Sequence, residues 1–432
     1  MYRFQGGQAG TCPRRRRRFG AGVLLMLVCG SAVACAPAEP AASPCLPKVD
    51  RFLREATGAQ GYAGAVALVM HEGQVVHAAG YGWQDLAHTR PMQRDSIFRI
   101  YSMTKTVASV AALMLMDEGK LDLDDPVARH LPEFSRLQLF VGGSADAPQL
   151  RPVANTLTVR HLFTHTSGFA AGGEGFEAAT QLLDRQHVRD AATLADYSVR
   201  LARVPLASEP GTRFRYDSTS AEVLSRLVEV ASGMPFETFL QQRIFTPLDM
   251  RDTGFEVPGP QRGRVADLAT MDAQGDLVLA DEAHARHPGI ALRPYRSGAG
   301  GLYSSAADYA RFAQMLLDGG EYHGMHLLKP GTVALMMRNQ LVHTALPRPV
   351  TEFSDAEGFG LGGSVLLDPA GKGRTASAGA FGWSGAASTY YTIDPARKVV
   401  AILMLQYLPG GKDDLPRVST PFYNLVDEAM EP

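Results

Sequence analysis

The sequence predicts an α/β architecture: an antiparallel sheet flanked by helices, with a mainly helical domain inserted in the middle of the chain. Apolar strand-like runs joined by tight turns stand near both chain ends, while the segments between them carry helical periodicity closed by glycines. With 432 residues, 45% of them apolar, the chain has material for one large or two intimately packed domains with a real core.

The amino-terminal residues 1–35 read as an export signal. Arg14 to Arg18 form its charged region, Gly20 to Val28 its apolar region, and small residues follow through Ala34. The apolar run is too short for a permanent membrane span. Arg16-Arg17-Arg18-Phe19 loosely matches a twin-arginine signal, a pattern that consecutive arginines satisfy by composition alone. Ala32-Val33-Ala34-Cys35 reads either as a lipoprotein processing site, with Cys35 lipidated and attached to a membrane, or as a plain A-x-A cleavage site. Both place the mature protein outside the cytoplasm, in the periplasm or on the outer membrane. Residues 36–47, rich in Ala and Pro, read as a tether. Cys12, Cys29, Cys35 and Cys45 are the cysteines of the sequence, so the chain after Cys45 has no disulfide, thiolate metal site or cysteine nucleophile.

A short helix, Lys48–Ala56, leads into Gly64–Met70 and Gln74–Tyr81, a hairpin turned around His71-Glu72-Gly73. A second hairpin, Ser388–Ile393 with Val399–Tyr407, turns at Asp394-Pro395-Ala396-Arg397. Between them the clearest helices are Thr104–Glu118, Ala221–Ala231 and Ala306–Leu317, with Gly119, Gly233 and Gly319 at their C-termini and a capping box from Ser305 to Asp308. Residues 48–130 and 290–432 are therefore assigned to the α/β domain and 131–289 to the helical one. A net charge of -2, from 42 basic and 44 acidic residues, gives no electrostatic case for nucleic acid.

Ser102-Met103-Thr104-Lys105 opens the most apolar helix of the chain, where Val107, Val110, Ala111, Leu113, Met114 and Leu115 leave almost no polar face. A spacing of three puts hydroxyl and amine one turn apart on the same side. This is the one S-x-x-K in a sequence with seven lysines, and a surface lysine fits poorly among such neighbours. Burial disfavours charge on an amine and so suits it to accept a proton from serine. At a helix N-terminus, free N–H groups and the positive dipole end favour an oxyanion.

Farther on, Pro210-Gly211-Thr212-Arg213-Phe214-Arg215-Tyr216-Asp217-Ser218 leads into a helix and fixes Tyr216 at its entrance. Ser-x-x-Lys followed about a hundred residues later by Tyr-x-Ser resembles the motif order of the penicillin-recognising serine hydrolases. The likeness runs from Phe98 to Leu408 and is similar to the class C β-lactamase and family VIII carboxylesterase group. The segments Leu157 to Gly168, Arg243 to Met250 and Gly300 to Ser305 carry it further. It implies a β-lactamase/transpeptidase-like fold with the site between an α/β and an all-helical domain. It also implies roles: Ser102 as acylated nucleophile, Lys105 as its partner, and Tyr216 as the base that takes the serine proton and hands it to the leaving group. Ser218 stands where the group usually has asparagine, with a shorter reach toward substrate.

The third motif of that group, Lys-Thr-Gly, corresponds here to Trp383-Ser384-Gly385. Gly385 lets the backbone approach substrate, and by resemblance the N–H of Ala386 joins that of Ser102 in an oxyanion hole. An indole in place of the lysine offers an apolar wall and a single donor where a carboxylate would be held, which favours uncharged acyl substrates. The same replacement occurs among family VIII esterases. The expected function is hydrolysis of carboxylic esters, against two alternatives: a β-lactamase or D-alanyl-D-alanine peptidase on the same site, and a non-catalytic cell-wall-binding protein.

Other patterns are set aside. Gly382-Trp383-Ser384-Gly385-Ala386 nearly spells a nucleophile elbow but lacks the final glycine and the strand-turn-helix context. His161 and His165 have zincin spacing with Leu162 in place of the glutamate, and His284, His287 and Asp281 read as a solvated loop. No metal, cofactor or phosphate loop is predicted.

Overall fold

The computed structural model describes residues 46–169, 177–341, 355–410 and 414–431. The export signal, Cys35, the other cysteines and nearly all of the tether lie outside the described residues.

Seven strands form one sheet: β1 (Gly64–His71), β2 (Gln74–Gly82), β3 (Glu357–Phe359), β4 (Ser364–Leu366), β5 (Phe381–Gly385), β6 (Thr389–Asp394) and β7 (Val399–Leu405). Their order is β3-β4-β5-β6-β7-β1-β2, and each neighbouring pair is antiparallel. Both expected hairpins are present. Glu72 and Gly73, at φ of +50° and +76°, give the first the doubly left-handed turn that suits the twist of adjacent strands. The two chain ends meet where β1 pairs with β7, Val66 opposite Met404 and Leu68 opposite Ile402.

Helices cover both sheet faces. On one side α1 (Pro47–Ala56) and the C-terminal helix Ser419–Ala429 pack Val49, Leu53, Phe422 and Val426 on Val69, Ala401 and Leu403. On the other, Val66, Leu68, Ile402 and Met404 share a core with α2 (Thr104–Asp117) and the helix Ala306–Leu317. Every residue of β7 is buried, as a continuous apolar run requires of a strand covered on both faces. Each large aliphatic side chain so buried contributes roughly 1.5–3 kcal/mol. Against α2 packs α3 (Thr219–Ser232).

Gly119, Gly233 and Gly319 follow α2, α3 and Ala306–Leu317 at φ of +73°, +71° and +72°, the left-handed stop that spares a Cβ clash. The Ser305–Asp308 box is only half formed. Ser305 Oγ accepts the Asp308 N–H, but the Asp308 carboxylate instead accepts from Thr253 and the Asp252 N–H. Residues 131–289 hold α3 and several short helices, and also two hairpins, Gln138–Gly143 with Pro148–Pro152 and Ala269–Met271 with Leu277–Leu279. Strands this short do not establish a period-2 pattern in the sequence.

Candidate active site

Ser102 stands at the N-terminal mouth of the helix, as expected, in a 3-10 turn (Tyr101–Met103) that runs directly into α2. Tyr101 before it sits at φ +41°, an uncommon conformation for an aromatic residue. Its ring is anchored elsewhere: Tyr101 Oη lies 2.9 Å from His284 Nε2 and donates to Glu282 at 3.3 Å. The backbone is thereby bent so that Ser102 faces the cleft rather than continuing strand Ile97–Arg99.

From the first turn of α2, Lys105 points back along the helix, as helical side chains do. It is only 3% exposed, which rules out a surface lysine. Its Nζ donates to Ser102 Oγ at 3.1 Å and to the Ala299 carbonyl at 2.7 Å, so the amine is held between the Ser102 hydroxyl and the turn preceding Ser304.

The third group comes from the loop ahead of α3. Lys105 Nζ stands 4.9 Å from the centroid of the Tyr216 ring, and Trp383 on β5 donates its indole N–H to Tyr216 Oη at 3.0 Å. The two aromatic rings lie 5.0 Å apart. Behind Tyr216, His165 (ring centroids 4.7 Å) and Phe359 complete an aromatic nest. Burial pushes the His165 imidazole pKa below its ordinary value, so the ring next to Lys105 is neutral, and its Nδ1 lies 3.2 Å from Asp217 Oδ2. Asp217 also caps α3, accepting the Ser220 N–H at 2.5 Å.

The cleft has a volume of about 460 Å³, and its walls include Ser102, Tyr216, Trp383, Ser384, Gly385 and Ala386. Gly385 is required by space. A Cβ there would lie 2.3 Å from the Ile100 carbonyl oxygen and 2.3 Å from Thr389 Oγ1, so only glycine lets β5 close against the nucleophile turn. Ala386, exposed at the end of β5, presents its backbone to the same cleft. Ser384 lines the cleft from the strand, with no strand-turn-helix around it. Ser218 is not gathered in: it is exposed at the entrance of α3 and does not line this cleft.

The set-aside histidines separate. His161 Nδ1 accepts the Thr158 N–H at 3.1 Å in a helix cap, while His165 faces Asp217. The loop expected to be solvated is corrected at His284, which packs on Tyr101 and gives its carbonyl to the buried Arg99 guanidinium at 2.6 Å. A fully buried arginine needs carbonyl acceptors, and that need draws the loop inward. His287 is exposed. Among the described residues no group of three or more His, Cys, Asp or Glu is placed to hold a metal.

Several members of the site were not foreseen: Asp217, Glu222, Phe359, and the Ala299 carbonyl. Glu222 accepts from Ser297 Oγ at 2.5 Å and from the Gly298 N–H at 3.1 Å, directly behind Lys105. Burial raises its carboxyl pKa to about 7, opposed by the Ser297 hydrogen bond and by the Lys105 charge.

Fold and site together define a class, the serine hydrolases built on the β-lactamase/transpeptidase-like architecture. Within that class the profile of the family described as Beta-lactamase matches residues 49–418, and the chain belongs to that family. It is 32% identical over 366 residues to Protein Rv1367c of Mycobacterium tuberculosis (strain ATCC 25618 / H37Rv), covering 83% of this chain and 89% of that one. Esterase EstB of Burkholderia gladioli is 30% identical over 379 residues, with the same shares covered. Among solved structures, EstCE1, described as a hydrolase with promiscuous acyltransferase activity, superposes with a TM-score of 0.70 at 24% identity, covering 89% of this chain and 98% of that one.

Proposed function

We propose that the protein is an exported carboxylic ester hydrolase working through an acyl-enzyme at Ser102. Tyr216, acting as its phenolate next to Lys105, takes the Ser102 Oγ proton and becomes the phenol as Oγ bonds to the ester carbonyl carbon, and the N–H groups of Ser102 and Ala386 hold the oxyanion. Collapse breaks the bond to the alcohol oxygen, which receives the proton from Tyr216. Water then attacks the acyl-enzyme, releasing the acid and restoring Ser102.

One observation carries the preference for esters. The Trp383 N–H, the single donor on that side chain, is already engaged by Tyr216 Oη, so the residue standing where a carboxylate-binding lysine would be turns an apolar face to the cleft. The name of EstB, an esterase at 30% identity, supports this. The alternative, a β-lactamase or D-alanyl-D-alanine peptidase on the same site, draws support from Arg417, an exposed guanidinium at the cleft's outer end over the Tyr390 ring. Turnover of p-nitrophenyl acetate and butyrate beside nitrocefin separates them: fast ester cleavage with weak nitrocefin hydrolysis is expected, and the reverse overturns the proposal. A non-catalytic cell-wall-binding protein would leave Ser102 unlabelled by a fluorophosphonate. Export rests on residues 1–35, and attachment through Cys35 is tested by fractionating cells that produce the full chain and its Cys35→Ser variant.

A further inference from the structure

Behind the catalytic lysine lies a polar assembly that none of the motifs includes. Glu222, in the first turn of α3, is buried at 3% exposure, so bulk water does not solvate its carboxylate. It is spanned instead by one turn of chain: Ser297 Oγ and the Gly298 N–H both donate to it, and the Ala299 N–H adds a third bond. The same turn offers the Ala299 carbonyl to Lys105 Nζ at 2.7 Å. The turn has no room to shift. A Cβ on Gly298 would lie 1.8 Å from Ser225 Oγ and 3.2 Å from the Ala108 Cβ, so it is wedged between α2 and α3.

We propose that Glu222 is a positioning residue for the reaction: it locks the Ser297–Ala299 turn so that the Ala299 carbonyl aims the Lys105 amine at Ser102. The proposal rests on the assignment of Ser102 and Lys105 to the chemistry. In the ionised state the carboxylate accepts from every donor of the turn and places a negative charge behind the Lys105 amine. In the protonated state one oxygen becomes a donor facing donors, and the turn loses a bond. The titratable groups that face Glu222 are Lys105 from α2, Tyr197 from the helix Leu194–Leu201, and Tyr295 from the segment leading into the turn. Burial raises both phenols, to values above the range in which proteins work, so neither supplies charge near neutrality. Activity therefore acquires an acid limb centred near the Glu222 value of about 7: high above it, falling below it.

The test is the pH dependence of kcat and KM with a p-nitrophenyl ester, in Glu222→Gln and Ser297→Ala. The Gln variant keeps the shape but turns an amide donor toward the turn. Its kcat is expected to drop roughly 10- to 100-fold, the cost of a displaced catalytic group. KM should hardly change, and the limb near neutrality should vanish. Ser297→Ala keeps the charge but removes a bond that favours it, so the limb should move to higher pH with a smaller loss of kcat. Folding of each variant is read independently by its circular dichroism. A soluble Gln variant with the wild-type kcat and limb, or a Ser297→Ala limb that stays in place, overturns the proposal. If the Gln variant does not fold, the Ser297→Ala limb alone decides. Fluorophosphonate labelling that persists in Ser102→Ala would instead sink the assignment of the nucleophile, whatever Glu222 does.

Discussion

Trp383 has one hydrogen-bond donor, and Tyr216 takes it. On the proposed mechanism, donation to the phenol oxygen stabilises negative charge there before Tyr216 takes the serine proton and after it gives it up, so the indole would serve the base as well as wall the cleft. Tyr216→Phe should therefore lower kcat/KM for esters by roughly 10² to 10⁴, as the loss of a general base does, while leaving the fold intact by circular dichroism. Trp383→Lys should exchange specificity for chemistry: nitrocefin turnover rises while ester turnover falls, read side by side on the purified variants. Lys105 was legible because seven lysines in the sequence make an S-x-x-K in an apolar helix conspicuous. Glu222 was not legible for the opposite reason. At 100° per residue it falls on the side of α3 that also bears Arg226 and Glu229, and an amphipathic pattern assigns that side to water. The incoming Ser297–Ala299 turn, with Lys105, Tyr197 and Tyr295 around it, buries it.

Among the elements, β5 meets the nucleophile turn most closely. With Ile100 O and Thr389 Oγ1 each 2.3 Å from where a Cβ would stand, Gly385→Ala has to push the strand away from Ser102 and carry Ala386 with it. Ester turnover should fall by at least an order of magnitude with little change in far-UV dichroism, since a displacement of even 1 Å at a catalytic group costs up to about 10²-fold. The central hairpins and α2, α3 and Ala306–Leu317 were legible element by element, because runs such as Val399–Leu405 and stops such as Gly233 leave few alternatives. The outer strands β3 and β4 were not, each being three residues long, β3 with a glycine at its centre. Ser102 was legible at the mouth of the helix, but the left-handed turn before it was not, because the Tyr101 ring is held by His284 and Glu282, residues about 180 positions away in sequence.

For the molecule as a whole, two buried titrating groups act in opposite directions on stability. Burial lowers the His77 pKa from 6.5 to about 4, where its ring bridges the Leu46 N–H and Tyr81. Its contribution is present above pH 6.5 and is lost as pH falls toward 4. Glu222 is raised from 4.5 to about 7, so its contribution is complete below pH 4.5 and is lost as pH rises through 7. Between those limits the two slopes oppose each other. Relative to the wild type, His77→Gln should tilt the dependence of Tm on pH downward between pH 4.5 and 7, and Glu222→Gln should tilt it upward. Thermal melts across that range check both, and parallel profiles for the two variants would contradict the assignment.

The sheet joins an early strand to a late one, β1 being flanked by β7, and the cleft strand β5 belongs to the later half. A ribosome has thus made nearly four hundred residues before the groups around Ser102 can be brought together. Partial products, stalled chains and carboxyl-terminal truncations carry the serine and the lysine without the wall that makes them a cleft. The hydrolytic centre is in this sense timed by synthesis: it comes into existence only after β5 and the residues that follow it have been made.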